Sequence, residues 1–395
     1  MRVAFVLLPL PGHVNPTLAL IAELRGRGAQ VAVVASTRMT PRLEAAGAEV
    51  VACDELYPPE IANPPEGTVR VGELLLRTTP RLLDFTLERL RKFGPDVVVH
   101  DSMTPWGRLA AQLLRRPSVC STATFAFDRR VRPPLREAVR AGADIARHPR
   151  ALVGIGRERR GIKGRYGIDP GGLLEAFSNR EGAARTIVYT STALQPGGDK
   201  LAGEFDFVGP SMPQVTRIDA ELEAEIAGRP LIYVSLGTLF NERPGFFRDC
   251  LEAFAGREEA VLLSIGDRLD PAALGALPAN AILRRSVPQL AVLERARLFV
   301  THAGMNSASE ALWFGVPTLM HPQTADQPMV AARLAQLGAG RVLRRSSPSR
   351  LSAEAERVLA GDYTARARAL GETLRACGGP PRAADVIAEA AVSRS

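Results

Sequence analysis

The feature that most constrains this chain is an alternation kept up along nearly all of it. Short uninterrupted apolar runs alternate with longer amphipathic ones. In the first half, strands are expected at residues 3–8, 31–35, 96–100 and 186–190. Helices are expected between them at 17–27, 41–46, 82–93 and 107–114. A strand of continuous Val, Ile and Leu has no solvent face, so it belongs to a parallel sheet with helices packed on both sides.

A second series begins near Pro230. Strands are expected at 231–235, 261–265, 298–301 and 318–321, and helices at about 245–255, 289–295, 307–314 and 327–337. Linker signals lie between the two series: Pro196-Gly197-Gly198, Gly209-Pro210 and Pro213. The length of 395 residues suits two domains. The expected division is 1–208 and 209–378, with a C-terminal helix in 379–395 packing back on the first domain. Between 128 and 172 the alternation pauses and Arg, Gly and Pro dominate.

Composition excludes several classes. A hydrophobic share of 46% with 23% charged residues describes a folded chain rather than a disordered one. The net charge is +8, and only Lys92, Lys163 and Lys200 are lysines among 50 basic residues. That skew reads as a coding bias. The competing reading is an anionic partner. No basic run is interleaved with aromatics, so nucleic acid is not an expected partner. The four cysteines, Cys53, Cys120, Cys250 and Cys377, lie far apart, and neither a zinc site nor a disulfide framework is indicated. A reducing cytoplasm fits. Residues 3–22 carry no formal charge over the length of a membrane span, but Pro9, Pro11, Gly12, His13, Asn15 and Pro16 sit in their middle. A lipid-exposed helix does not tolerate that cluster, so no stable membrane insertion is expected.

Four motifs carry chemistry. Pro11-Gly12-His13-Val14-Asn15-Pro16 follows the first strand, where parallel sheets bind ligands. The positive end of the next helix disfavours an imidazolium, which suits His13 to accepting a proton. The alternative is a His that merely caps the helix. His100-Asp101 ends another strand on the same rim, so Asp101 can accept the ring N–H of His13, or simply begin a turn. The run His302 to Glu310 opens a helix with small residues, where free N–H groups favour a phosphate. Here His302, Asn306 and Ser307 add donors, and Glu310 suits two ribose hydroxyls. Its bland reading is a helix capped by Ser307. Ser235-Leu236-Gly237-Thr238 offers a second small loop in the same half. Asp326-Gln327 suits sugar hydroxyls, with a helix cap as the plain alternative.

Together these residues resemble family 1 glycosyltransferases of the GT-B fold, in particular the bacterial macrolide and natural-product branch. Gly12-His13-Val14-Asn15-Pro16 is similar to that branch's N-terminal motif. The stretch from Val287-Pro288-Gln289 through Asp326-Gln327 to Gly338 is similar to its nucleotide-sugar signature. The resemblance implies two doubly wound, Rossmann-like α/β domains facing across a cleft, with acceptor binding in the first and donor binding in the second. It implies that His13 is the general base and Asp101 its partner. Thr238, His302, Gly304, Asn306 and Ser307 would bind the diphosphate and Glu310 the ribose, with Gln289 beside the base. Asp326 and Gln327 would hold the sugar, and Thr122 would touch it from the first domain.

Many relatives carry a Trp two residues before the Pro-Gln. Ser286 stands there in this chain, which leaves UDP against TDP open. The implied activity is inverting O-glycosyl transfer from a nucleotide sugar, UDP-glucose in the first instance, to a hydrophobic natural product. A TDP-deoxysugar donor is the alternative. A sugar-nucleotide epimerase and an inactive auxiliary protein are alternatives of other classes. No Asp-x-Asp occurs, so neither a metal nor a further cofactor is expected. The partners are the acceptor and the nucleotide sugar, and the protein is expected as a monomer or homodimer. Between Arg129 and Arg165 eleven arginines face only Glu137, Asp144 and Glu158. This segment is expected to be an irregular, solvated lid over the acceptor. Attraction to an anionic acceptor or an acidic membrane surface is the competing reading.

Overall fold

The structure, a computed structural model, describes residues 1–131, 135–212, 217–237, 241–324 and 326–392. The chain divides into two compact units: Met1–Met212 with Cys377–Ser395, and Pro213–Ala376.

The first unit begins with β1 (Arg2–Val6), α1 (Pro11–Gly26), β2 (Gln30–Ala35), α2 (Thr40–Ala45) and β3 (Glu49–Ala52). It continues through α3 (Thr68–Phe93), β4 (Val97–Asp101), α4 (Pro105–Leu113), β5 (Ser118–Thr122), α5 (Leu135–Arg147) and α6 (Pro149–Tyr166). It ends with α7 (Glu175–Ser178), β6 (Arg185–Val188), α8 (Gly198–Leu201) and β7 (Asp206–Phe207). The seven strands lie in the order β3-β2-β1-β4-β5-β6-β7, every pair parallel. Successive side chains of a strand face opposite ways, and the core splits accordingly. Val3, Phe5, Val97 and Val99 pack with Leu20 and Ile21 of α1. Ala4, Val6 and Val98 pack with Leu82 and Leu83 of α3 and Leu109 of α4.

The second unit holds α9 (Ala220–Ile226), β8 (Leu231–Ser235), α10 (Pro244–Phe254), β9 (Ala260–Ser264), β10 (Ala281–Arg284) and α11 (Gln289–Leu293). It continues with β11 (Ala296–Thr301), α12 (Met305–Trp313), β12 (Thr318–Met320), α13 (Gln327–Gln336), β13 (Gly340–Val342), α14 (Pro348–Ala360) and α15 (Tyr363–Arg375). Its six strands, also parallel throughout, run β10-β9-β8-β11-β12-β13. Val234 and Val300 face α10 and α14, while Tyr233 and Phe299 face α11 and α12. The last helix, α16 (Gly379–Val392), returns to the first unit, where Ala383, Val386 and Ile387 join the α1 side of the core.

Four expectations are corrected. The first helix starts at Pro11, not at 17, so the His13 motif lies on the helix rather than in a loop before it. Proline is acceptable there because a first-turn N–H has no intrahelical partner to lose. The segment 128–172 is not an irregular lid: it contains α5 and α6, and α6 buries Ala151, Ile155 and Ile162. Nor is 196–228 only a linker, since it supplies α8, the edge strand β7 and α9. Among helices, α3 starts at Thr68 and runs through Pro80, well before the expected start at 82. Hydroxyls of Thr78 and Thr79 bond back to the Leu74 and Leu75 carbonyls, each at 2.8 Å, in the turn ahead of that proline.

Candidate active site

In the first unit, parallel register brings the ends of β1, β4, β5 and β6 to one rim. Val6 pairs with His100, Asp101 with Ser121, and Thr122 with Val188. The first turn of α1 rises from that rim and carries His13. Its Nδ1 lies 2.8 Å from Asp101 Oδ2, across 88 residues of chain. A carboxylate can only accept, so Nδ1 carries the hydrogen and the neutral ring has its lone pair on Nε2. The imidazole is 17% exposed while Asp101 is 1% exposed. The ring therefore reaches solvent and its partner does not.

Asp101 is held from several sides. Oδ1 accepts the Met103 N–H at 2.7 Å, and its carbonyl accepts from Thr104 Oγ1 at 3.0 Å and Asn179 Nδ2 at 3.1 Å. Behind it lies a buried polar chain. Asn179 Oδ1 accepts from Arg108 Nε at 2.8 Å, and Arg108 also donates to the Pro170 carbonyl at 2.7 Å. His100, beside Asn179, is fully buried, and burial with the nearby Arg108 guanidinium pushes its pKa down to about 3. His100 thus stays neutral and packs behind the dyad. Asn179 and Arg108 escaped sequence reasoning. The only available signal was an arginine on the apolar face of α4, where it is buried with Trp106 and Leu109. Thr122 is buried at the end of β5, on the same rim but in no described contact with His13 or Asp101.

The second unit gathers the remaining residues on its own rim, where Thr301 pairs with both Ser235 and Met320. His302 follows β11. Its ring is seated between two glycines: a Cβ on Gly237 or on Gly304 would stand 2.6 Å from an imidazole atom. Burial pushes the His302 pKa down to about 4, against a hydrogen bond to the Ser235 backbone. Ala303 holds φ of +62°, a left-handed conformation that a non-glycine residue adopts at a cost.

Gly304 is the N-cap of α12 and offers no side-chain cap, so Ser307 does not cap this helix. Its Oγ accepts from Gln289 Nε2 at 3.3 Å instead. Gln289 also donates to Glu310 Oε2 and accepts from the Tyr233 hydroxyl at 3.0 Å. Burial raises the Glu310 pKa to about 7 despite that donor. Thus Gln289, Ser307 and Glu310 form one cluster at the start of α12, whose N-cap Gly304 makes no side-chain cap bond. Asp326 stands at the N-cap position of α13 without a side-chain cap bond. Gln327 spends Oε1 on the N–H groups of Gln323 at 2.9 Å and Thr324 at 3.3 Å, bracing the loop after β12. Thr238 lies outside the described residues.

Two parallel-sheet units, each with polar residues gathered at the carboxyl ends of its strands, define a two-domain α/β protein with the ligand-binding rims of such sheets. Residues 210–363 match the family model described as "UDP-glucoronosyl and UDP-glucosyl transferase", and residues 12–172 match "Glycosyl transferase 4-like domain". An uncharacterized UDP-glucosyltransferase, YdhE of Bacillus subtilis (strain 168), is 32% identical over 95% of this chain and 95% of its own length. The demethyllactenocin mycarosyltransferase of Streptomyces fradiae is 34% identical over 98% of this chain and 86% of its own. Among solved structures, the calicheamicin glycosyltransferase CalG4 superposes with a TM-score of 0.82 at 32% identity, covering 100% of this chain and 98% of that one. The chain therefore belongs to the family 1 glycosyltransferases and has their GT-B fold. It is a glycosyltransferase, and among its described residues no helix is long and apolar enough to cross a membrane.

Proposed function

We propose that this enzyme transfers a hexose, with inversion, from UDP-glucose to a hydroxyl of a hydrophobic small-molecule natural product such as a macrolide, polyketide or phenol. The observation that carries the reading is the 2.8 Å contact between His13 and Asp101. His13 Nε2 takes the proton of the acceptor hydroxyl, and Asp101 balances the charge the ring gains. The acceptor oxygen forms its bond to the anomeric carbon as the bond to the diphosphate breaks. The diphosphate leaves with the electron pair on the opposite face, so a single displacement inverts the centre.

In the second unit, His302, Thr238 and the α12 N-terminus at Gly304, Asn306 and Ser307 receive the diphosphate. A helix N-terminus favours an anion through its unpaired N–H groups and its dipole. Glu310, steadied by Gln289, accepts from the ribose, and Asp326 and Gln327 address the sugar. Thr122 addresses it from the first unit. No metal has a role in this scheme. The relative named a mycarosyltransferase supports a second donor reading, a TDP-deoxysugar-dependent antibiotic glycosyltransferase. A panel of UDP- and TDP-sugars crossed with macrolide and phenolic acceptors, read by mass spectrometry, separates the two. The base assignment is tested by His13→Ala. Transfer should be abolished while calorimetry shows donor binding intact, and retained turnover would remove His13 as the base.

A further inference from the structure

We infer that α5 and α6 form a docking surface for an anionic lipid membrane, holding the first unit at the bilayer surface without insertion. An amphipathic helix normally turns its apolar face to the core. Helix α5 does the reverse. Ala138, Val139, Ala141, Gly142, Ile145 and Ala146 share its outer face and all are exposed, Val139 by 63% and Ile145 by 44%. The inner edge is polar. Asp144 Oδ2 accepts the Val69 N–H at 3.0 Å, which satisfies the first turn of α3. Gly67 makes that approach possible: its φ is +93°, and a Cβ there would stand 2.4 Å from Asp144 Oδ1. Asp144 thus fixes which way α5 faces, and the apolar side is left outward.

The unpaired charge on the described parts of these helices is cationic. Arg140 and Arg147 of α5, with Arg150, Arg160 and Lys163 of α6, make no ion pair with a carboxylate among the described residues. Between those α6 cations Val153 is 71% exposed. At 100° per residue Arg140 and Arg147 lie on the side of α5 opposite the stripe, and an apolar face backed by a cationic polar face is the pattern of a helix lying in a membrane interface, where acyl chains meet the apolar face and anionic headgroups meet the cations. The small, smooth residues of the stripe give a folded protein partner no pocket and no hydrogen-bonding group to read. A second copy docked face to face would set five cations against five. None of these residues is assigned a part in transfer, so the inference holds or fails independently of the proposed reaction.

The experiment is co-sedimentation of the full chain at low salt with vesicles of phosphatidylglycerol and phosphatidylcholine in equal parts, and with phosphatidylcholine alone. Binding to the anionic vesicles should exceed binding to the neutral ones by about tenfold or more, and should fall as salt rises. The pair V139D and I145D should lower anionic-vesicle binding by about tenfold, with transfer to a soluble phenolic acceptor and the thermal midpoint unchanged. If that pair misfolds, R147Q with R150Q should give a weakened, less salt-sensitive association. Equal binding to both vesicles, binding to neither, or wild-type binding by these variants would each overturn the inference. So would self-association in solution that V139D and I145D abolish.

Discussion

In the proposed mechanism Asp101 acts through orientation. Its carboxylate is buried and takes hydrogen bonds from His13 and from the Met103 N–H. An amide in its place offers an N–H₂ toward Nδ1 and turns the ring to the wrong tautomer. Asp101→Asn is therefore expected to lower kcat by roughly 100-fold or more while donor affinity holds, which initial rates together with calorimetry will show. Two buried groups in the second unit give a pH signature. Glu310 has a folded pKa of about 7, raised from 4.5. The stability it confers as the neutral acid is complete below about pH 4.5 and is lost as pH rises to 7. His302 is lowered from 6.5 to about 4 and acts oppositely: its contribution is complete above pH 6.5 and is lost as pH falls toward 4. Urea midpoints of Glu310→Gln and His302→Gln across this range should each lose one of the two slopes. Donor affinity should rise as pH passes about 7 and Glu310 ionises, a rise that Glu310→Gln abolishes.

At the scale of elements, the rim of the second unit depends on a strand-to-helix turn that makes room for an imidazole. Helix α12 begins without a side-chain cap, and Gly304 lies against His302. A methyl group at 304 would stand 2.6 Å from His302 Nε2, so the ring or the turn must move. Gly304→Ala is expected to weaken nucleotide-sugar binding by about tenfold or more, with a folding midpoint shifted by about 1 kcal/mol or less. Calorimetry and a urea titration measure the two effects. The run of small residues around His302 was visible in the sequence, but the mutual seat of His302, Gly237 and Gly304 was not. Gly237 and His302 are 65 residues apart, and only the pairing of Thr301 with Ser235 puts them side by side. Helices α5 and α6 were obscured by their composition. Their glycines and arginines read as loop; burial of α6 against α3 overrides that preference, and α5 is tied to α3 by the Asp144 bond to the Val69 N–H.

At the scale of the whole molecule, the chain leaves its first unit and returns to it. Ile387 of α16 is fully buried in the core layer that includes Val3, Phe5 and Leu20. Ile387→Ala is expected to cost about 2–4 kcal/mol. The loss should fall on the unfolding transition of the first unit, which the buried Trp106 reports by fluorescence while that of the second unit stays in place. The parallel α/β class was legible in the sequence, because strands buried on both faces need continuous apolar residues and the helices between them need a stripe. His13, Asp101 and the run from His302 to Glu310 were legible for a related reason. Such a sheet binds ligands beyond the carboxyl ends of its strands, and these candidate residues stand at or after strand ends in the sequence itself. What only tertiary structure decided is which distant groups meet: Asp101 with Asn179, Asn179 with Arg108, Gln289 with Glu310, Asp144 with the start of α3, and α16 with α1. Those contacts are set by strand order and helix packing, which join residues far apart in the chain and leave no local period to read.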